Sequence, residues 1–177
     1  MKIEIKKFTE FDSWVSAAAD EIVTNIKQIS STYDKVNILL SGGSTPGPIY
    51  KKIDKDLTSD DQVVIGLVDE RFVPVMDDRS NEKLIKGCFT INPLEQKNFV
   101  GMVENAENES KNLNLIRERY KSFSAQTDIV VLGMGGDGHT ASIFPGDPES
   151  DCAKEAGQTN IFSTKAPVNP IKRITCS

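Results

Sequence analysis

Three short stretches of this 177-residue chain pair residue types able to do chemistry with spacings that gather them at one place. The densest runs Gly133-Met134-Gly135-Gly136-Asp137-Gly138-His139-Thr140-Ala141-Ser142-Ile143-Phe144-Pro145-Gly146 and holds the only histidine. A neutral imidazole takes a proton from water near neutral pH, and Asp137 stands two residues away to orient it. A lone histidine is more often a hydrogen-bonded structural residue, but this one sits in a glycine-rich turn with little side-chain bulk around it. The run also satisfies G-x-G-x-x-G. A dinucleotide fingerprint, however, must open a helix and meet an acid about 20 residues on after a second strand, and Pro145, Gly146 and Pro148 interrupt any helix here.

The second stretch is Ser41-Gly42-Gly43-Ser44-Thr45-Pro46-Gly47. Adjacent glycines let a backbone approach a ligand, Ser44 and Thr45 add hydroxyl donors, and Pro46 as first helical residue would leave helix amides aimed at an anion. The same residues equally suit a tight strand-to-helix turn with a Ser/Thr cap. No Gly-Lys-Ser/Thr follows, so the loop is not a Walker A loop. The third stretch, Asp69-Glu70-Arg71-Phe72-Val73-Pro74, places a guanidinium that fits phosphate or carboxylate oxygens beside two acids. An Asp or Glu pairing Arg71 as a structural ion pair is the alternative. No G-x-S-x-G elbow exists for a serine hydrolase, and no second histidine or acid cluster supplies a metal site.

The elements that must position these loops are strands and helices in alternation. Ile3 to Lys6 reads as a first strand. Val15, Ala18, Ala19, Ile22, Ile26 and Ile29 recur every three or four residues, as in an amphipathic helix, which Thr9 or Asp12 would cap. Val36 to Leu40 and Val63 to Val68 are nearly continuous apolar runs, as in strands buried on both faces. Ile49 and Ile53 start a helix after the glycine loop, Ser80 caps another that carries Leu84, Ile85, Cys88 and Phe89, and Asn98 to Met102 is a further strand. Leu113, Ile116, Tyr120 and Phe123 predict one long helix leading into a buried strand, Asp128 to Leu132. Ile161 to Thr164 and Ile171 to Cys176 begin strands. The pattern predicts one α/β domain over residues 1–177: a doubly wound, mostly parallel, Rossmann-like sheet flanked by helices. Ligands of such sheets bind beyond the carboxyl ends of the strands, where all three stretches fall.

Composition narrows the function classes. A net charge of −5 argues against a nucleic-acid surface. No run of about 18 apolar residues exists for a membrane span, and the charged start, Met1 to Lys7, is no signal peptide. Cys88, Cys152 and Cys176 are odd in number and widely spaced, arguing against a disulfide framework or thiolate zinc site and for a reducing, cytoplasmic setting. A monomer or weak homo-oligomer is expected.

Together, Leu40 to Pro46, Val68 to Pro74 with Ser80-Asn81, and Gly133 to Gly146 resemble the 6-phosphogluconolactonase family, within the superfamily that includes glucosamine-6-phosphate deaminase. The deaminase branch usually has Asp-Glu-Tyr where this chain has Asp69-Glu70-Arg71, and Ala-Phe-Asn-Glu-Pro where it has Ala141 to Pro145. An amino-sugar phosphate isomerase or deaminase is thus the disfavoured rival, and a non-catalytic sugar-phosphate-binding domain the rival of another class. The resemblance implies hydrolysis of a phosphorylated sugar lactone without a cofactor or metal. It implies His139, Asp137 and Arg71 as catalytic residues and Gly42, Gly43, Ser44, Thr45, Asp69, Asn81 and Arg173 as substrate- or phosphate-binding residues. Pro167 to Thr175 resembles the family's approach to a strand that this chain enters as it stops. The expectation is therefore a domain lacking its C-terminal elements, with a bare sheet edge and with Lys172 and Arg173, candidate phosphate ligands, in a tail that frays unless something orders it.

Overall fold

The computed structural model describes residues 3–57, 62–95, 98–155 and 160–177. Its elements are α1 (Phe11–Ser30), β1 (Val36–Leu40), α2 (Gly47–Asp56), β2 (Val63–Leu67), β3 (Asp69–Arg71), α3 (Asn81–Lys86), β4 (Phe99–Val100), α4 (Glu109–Arg119), α5 (Lys121–Ala125), β5 (Ile129–Val131), α6 (Pro148–Glu155), β6 (Ile161–Lys165) and β7 (Lys172–Cys176). Four strands form a wholly parallel sheet in the order β4-β2-β1-β5. Three others form a separate antiparallel sheet, β3-β7-β6.

The parallel sheet and its helices follow the apolar periodicity. Ile38, Leu39 and Leu40 of β1 and Ile65 and Leu67 of β2 are buried, and α1 buries Ala19, Val23 and Ile26. The α1 start has Glu10 at its N-cap with no side-chain cap bond, so neither Thr9 nor Asp12 performs that role. Pro46 is the residue before α2 rather than its first, and Pro48 occupies the first turn. Ser80 caps α3 as expected, accepting from the Lys83 amide at 3.2 Å.

Four expectations are corrected. Ile3 to Lys6 forms no strand, and Ile3 and Ile5 are about three-quarters exposed; alternation alone does not hold a strand that lacks a partner. The long helix through Tyr120 is two, α4 and α5, broken at Tyr120 itself. The buried Tyr120 hydroxyl accepts from the Leu67 amide at 2.8 Å and lies 3.0 Å from Val100 O, while Ile116 and Phe123 keep the apolar face continuous across the break. Among the described residues β5 is an edge strand, with Val130 48% and Leu132, just after it, 56% exposed. Finally, Lys172 and Arg173 lie in no frayed tail: β7 is the middle strand of the antiparallel sheet, with Arg173 to Cys176 buried and the Cys176 amide bonded to Val68 O.

The two sheets join through this last contact and through Val68, which links β2 to β3. The parallel sheet grows from β1 through β2 to β4 on one side, and β5 is added on the other side of β1. β1 and β5 are paired parallel neighbours, so the loops that follow them leave the same end of the sheet side by side, at the carboxyl ends of the strands where ligands of such sheets bind.

Candidate active site

A cavity of about 300 Å³ lies at the carboxyl ends of β1 and β5, walled by the loops after these strands and by β3. Gly42, Gly43, Thr45, Asp69, Arg71, Asn81 and His139 all reach its wall. Ser44 lies outside the wall and is exposed, Asp137 stands behind His139, and Arg173 is buried below the surface.

The β1 loop turns through Gly43, whose φ of 104° favours glycine. Gly42 lies so close to Asn81 that a Cβ there would fall 1.9 Å from Asn81 Oδ1. Asn81 is buried at the start of α3, and its Nδ2 donates to Asp69 O at 2.9 Å. That bond orients the amide, and among the described residues its Oδ1 has no hydrogen-bond partner. Ser41 Oγ, also buried, has none either; both residues line the cavity. Buried polar atoms are normally paired, so two unpaired oxygens at one cavity are a binding feature that a hydroxylated ligand would satisfy. Sequence reasoning missed Ser41; its signal was its position at the carboxyl end of buried β1.

The turn after β5 presents His139. The Gly138 amide donates to Gly135 O at 3.0 Å and the Gly135 amide to His139 O at 2.8 Å, with Gly138 at φ 85°. His139 Nδ1 lies 2.5 Å from Asp137 Oδ1, and the same oxygen accepts from the His139 amide at 3.2 Å. These two bonds hold the Asp137 carboxyl below the usual carboxylate range, the ring contributing more than the amide. With Nδ1 facing a carboxylate, Nδ1 carries the proton and Nε2 is the basic nitrogen. The Phe144 ring packs on the imidazole, centroids 4.6 Å apart. Gly135 leaves room for the pair: a Cβ on it would lie 2.3 Å from His139 Cε1 and 2.8 Å from Asp137 Oδ1.

The antiparallel sheet supplies the charged wall. Asp69 pairs with Thr175 and Arg71 with Arg173 across β3 and β7, while Thr164 of β6 pairs with Arg173. Alternation therefore puts Asp69, Arg71, Arg173, Thr175 and Thr164 on one face and Glu70 on the other. Burial pushes the Asp69 carboxyl up, opposed by the Ser142 hydroxyl bonded to its Oδ2 and by the charges of Arg71 and Arg173. Arg71 donates to Arg79 O, and no acid lies within ion-pair distance of it among the described residues. Arg173 donates to Pro170 O and is 6% exposed, so it contributes charge beneath Arg71 rather than a contact in the wall.

Glu70 serves the fold. Its carboxylate accepts from the amides of Arg71, Asn81 and Glu82 at 2.6–2.7 Å and from the Ser80 hydroxyl at 3.1 Å, tying β3 to the start of α3. Burial raises it to about 7 against these four donors. The ion-pair alternative for Arg71 thus gives way to a different structural use of the neighbouring acid.

A family model described as glucosamine-6-phosphate isomerases/6-phosphogluconolactonase matches residues 10–177. A 6-phosphogluconolactonase of Rhizobium meliloti is 33% identical over 146 residues, which cover 82% of this chain and 63% of that protein. One of Caulobacter vibrioides is 30% identical over 151 residues, covering 84% and 64%. This chain thus spans slightly less than two thirds of the length of either relative. The crystal structure of a 6-phosphogluconolactonase from Shewanella baltica matches with a TM-score of 0.84 at 30% identity, covering 97% of this chain and 73% of that one. Among the described residues, no helix is long and apolar enough to cross a membrane.

Proposed function

We propose, because the chain belongs to the glucosamine-6-phosphate isomerase/6-phosphogluconolactonase family, that it hydrolyses 6-phospho-D-glucono-1,5-lactone to 6-phosphogluconate. The observation that carries the reading is His139 in the cavity wall, its Nδ1 held by Asp137 and its basic Nε2 left for water.

In this reaction Nε2 takes a proton from water as the oxygen attacks the lactone carbonyl. The Arg71 guanidinium, with the Arg173 charge beneath it, stabilises the tetrahedral oxyanion. Collapse breaks the bond from the carbonyl carbon to the ring oxygen, which leaves with the proton held by the imidazolium. Asp137 fixes the ring and its tautomer throughout. Gly42, Gly43 and Thr45, with the exposed hydroxyl of Ser44 outside the cavity wall, receive the phosphate at the head of α2. Asn81 Oδ1 and Ser41 Oγ take sugar hydroxyls. The chemistry needs no cofactor, and three cysteines without disulfide partners suit a cytoplasmic setting.

The test is proton release from freshly prepared lactone, measured against the spontaneous rate and the His139→Ala protein. A positioned base contributes about 10²–10⁴-fold, so the variant should lose at least about a hundredfold in kcat with KM little changed. Equal rates for wild type and variant would refute the base assignment. Substrate binding without turnover in folded wild type would favour the non-catalytic sugar-phosphate-binding reading instead.

A further inference from the structure

We propose that Thr164 and Thr175 are positioning residues which hold the turn after His139 in a conformation it would not keep alone. The proposal rests on the reading of His139 as the base and adds what keeps that base in place.

The turn is Thr140 to Ile143, closed by the Ile143 amide donating to Thr140 O at 2.8 Å. Both central residues, Ala141 and Ser142, have φ of 52°, and they are the only non-glycine residues at positive φ among those described. A turn with two successive positive φ values is ordinarily built from Gly, Asn or Asp. Alanine and serine carry a Cβ that disfavours it, and such strain persists only where the surroundings over-determine the backbone.

Here three side chains do so. The Thr175 hydroxyl, which also lies 2.9 Å from Cys176 O, bonds to Ala141 O. The Thr164 hydroxyl donates to Ser142 O at 2.7 Å. Ser142 Oγ in turn donates to Asp69 Oδ2. The partners come from all three strands of the antiparallel sheet and share the face that carries Arg71. Both threonines are fully buried, their hydroxyls bond to backbone carbonyls other than that of His139, and neither lines the cavity. Their effect on the imidazole passes through the turn, which lies between His139 and the Phe144 ring packed on it.

The experiment compares Thr164→Val and Thr175→Val with Thr164→Ser and Thr175→Ser. His139 is the only histidine, so its imidazole gives one unambiguous set of resonances, independent of any activity. The valine variants should shift those resonances and lower kcat about tenfold with KM within about twofold, since a 1 Å misplacement costs about a hundredfold. The serine variants should restore both. Unshifted resonances in folded valine variants would overturn the proposal.

If a valine variant does not fold, Ala141→Gly/Thr175→Val decides, because glycine adopts positive φ freely. The proposal expects this double variant to fold with a near-native His139 signal, and continued failure to fold would overturn it. If wild type does not hydrolyse the lactone, the functional reading fails while the resonance comparison still decides the positioning role.

Discussion

Replacing Gly135 with alanine should disable catalysis while leaving the fold nearly untouched. The added Cβ would lie 2.3 Å from His139 Cε1, 2.4 Å from His139 Nδ1 and 2.8 Å from Asp137 Oδ1. Carbon atoms in contact sit about 3.5–4.0 Å apart, so the ring must retreat by about 1 Å. The imidazole is the element that yields, because its side chain is 35% exposed whereas the backbone of the turn is tied by the Gly135 and Gly138 amide bonds. Gly135 does not occupy the left-handed region, so alanine meets no backbone penalty. A displacement of 1 Å costs about 10²-fold in rate, or about 2.7 kcal/mol of barrier. The assay is kcat for lactone hydrolysis above the spontaneous rate, alongside a denaturation curve expected to change by less than about 1 kcal/mol, as for surface substitutions. Gly136→Ala is the control: nothing lies within 4 Å of its Cβ, and kcat should be unchanged. Full activity in folded Gly135→Ala would refute the catalytic geometry. Equal losses in both variants would show that the turn tolerates no side chain anywhere and would remove the argument from the His139–Asp137 pair.

Two further outcomes follow from packing and from burial. Gly42→Ala drives a Cβ into the buried Asn81 amide, at 1.9 Å from Oδ1 and 2.1 Å from Cγ; overpacking of this kind costs about 1–3 kcal/mol, read as a lower urea midpoint, and an unchanged midpoint would show that Asn81 is not fixed there. Glu70 is raised from 4.5 to about 7 in the fold, so between these values the folded state binds more protons than the unfolded one and stability falls as pH rises. The loss approaches about 3 kcal/mol above pH 7, and Glu70→Gln should remove that slope from melting curves taken between pH 4.5 and 7.5. Parallel wild-type and variant curves would refute it.

The sequence by itself determined what neighbouring residues decide among themselves. The apolar spacing of Val15 to Ile29 makes α1, the mostly apolar runs Val36 to Leu40 and Val63 to Leu67 make β1 and β2, and the glycines around Ser41 and His139 mark loops at strand ends. Turn preference and periodicity are local, so they can be read along the chain. The same patterns misled at Ile3 to Lys6, whose alternation finds no partner strand, and at Asp128 to Leu132, whose apolar run lies on a sheet edge. Only tertiary structure decided the antiparallel sheet, because Asp69 to Arg71 has no periodic signal of its own and pairs with residues about a hundred positions away. That register separates Asp69 and Arg71, facing the cavity, from Glu70, which anchors α3. It also brings Thr164 and Thr175 to the turn beside His139. Which of three adjacent charged residues meets a ligand depends on the pleat of a strand, and the pleat's orientation is set by partners that the local sequence does not name.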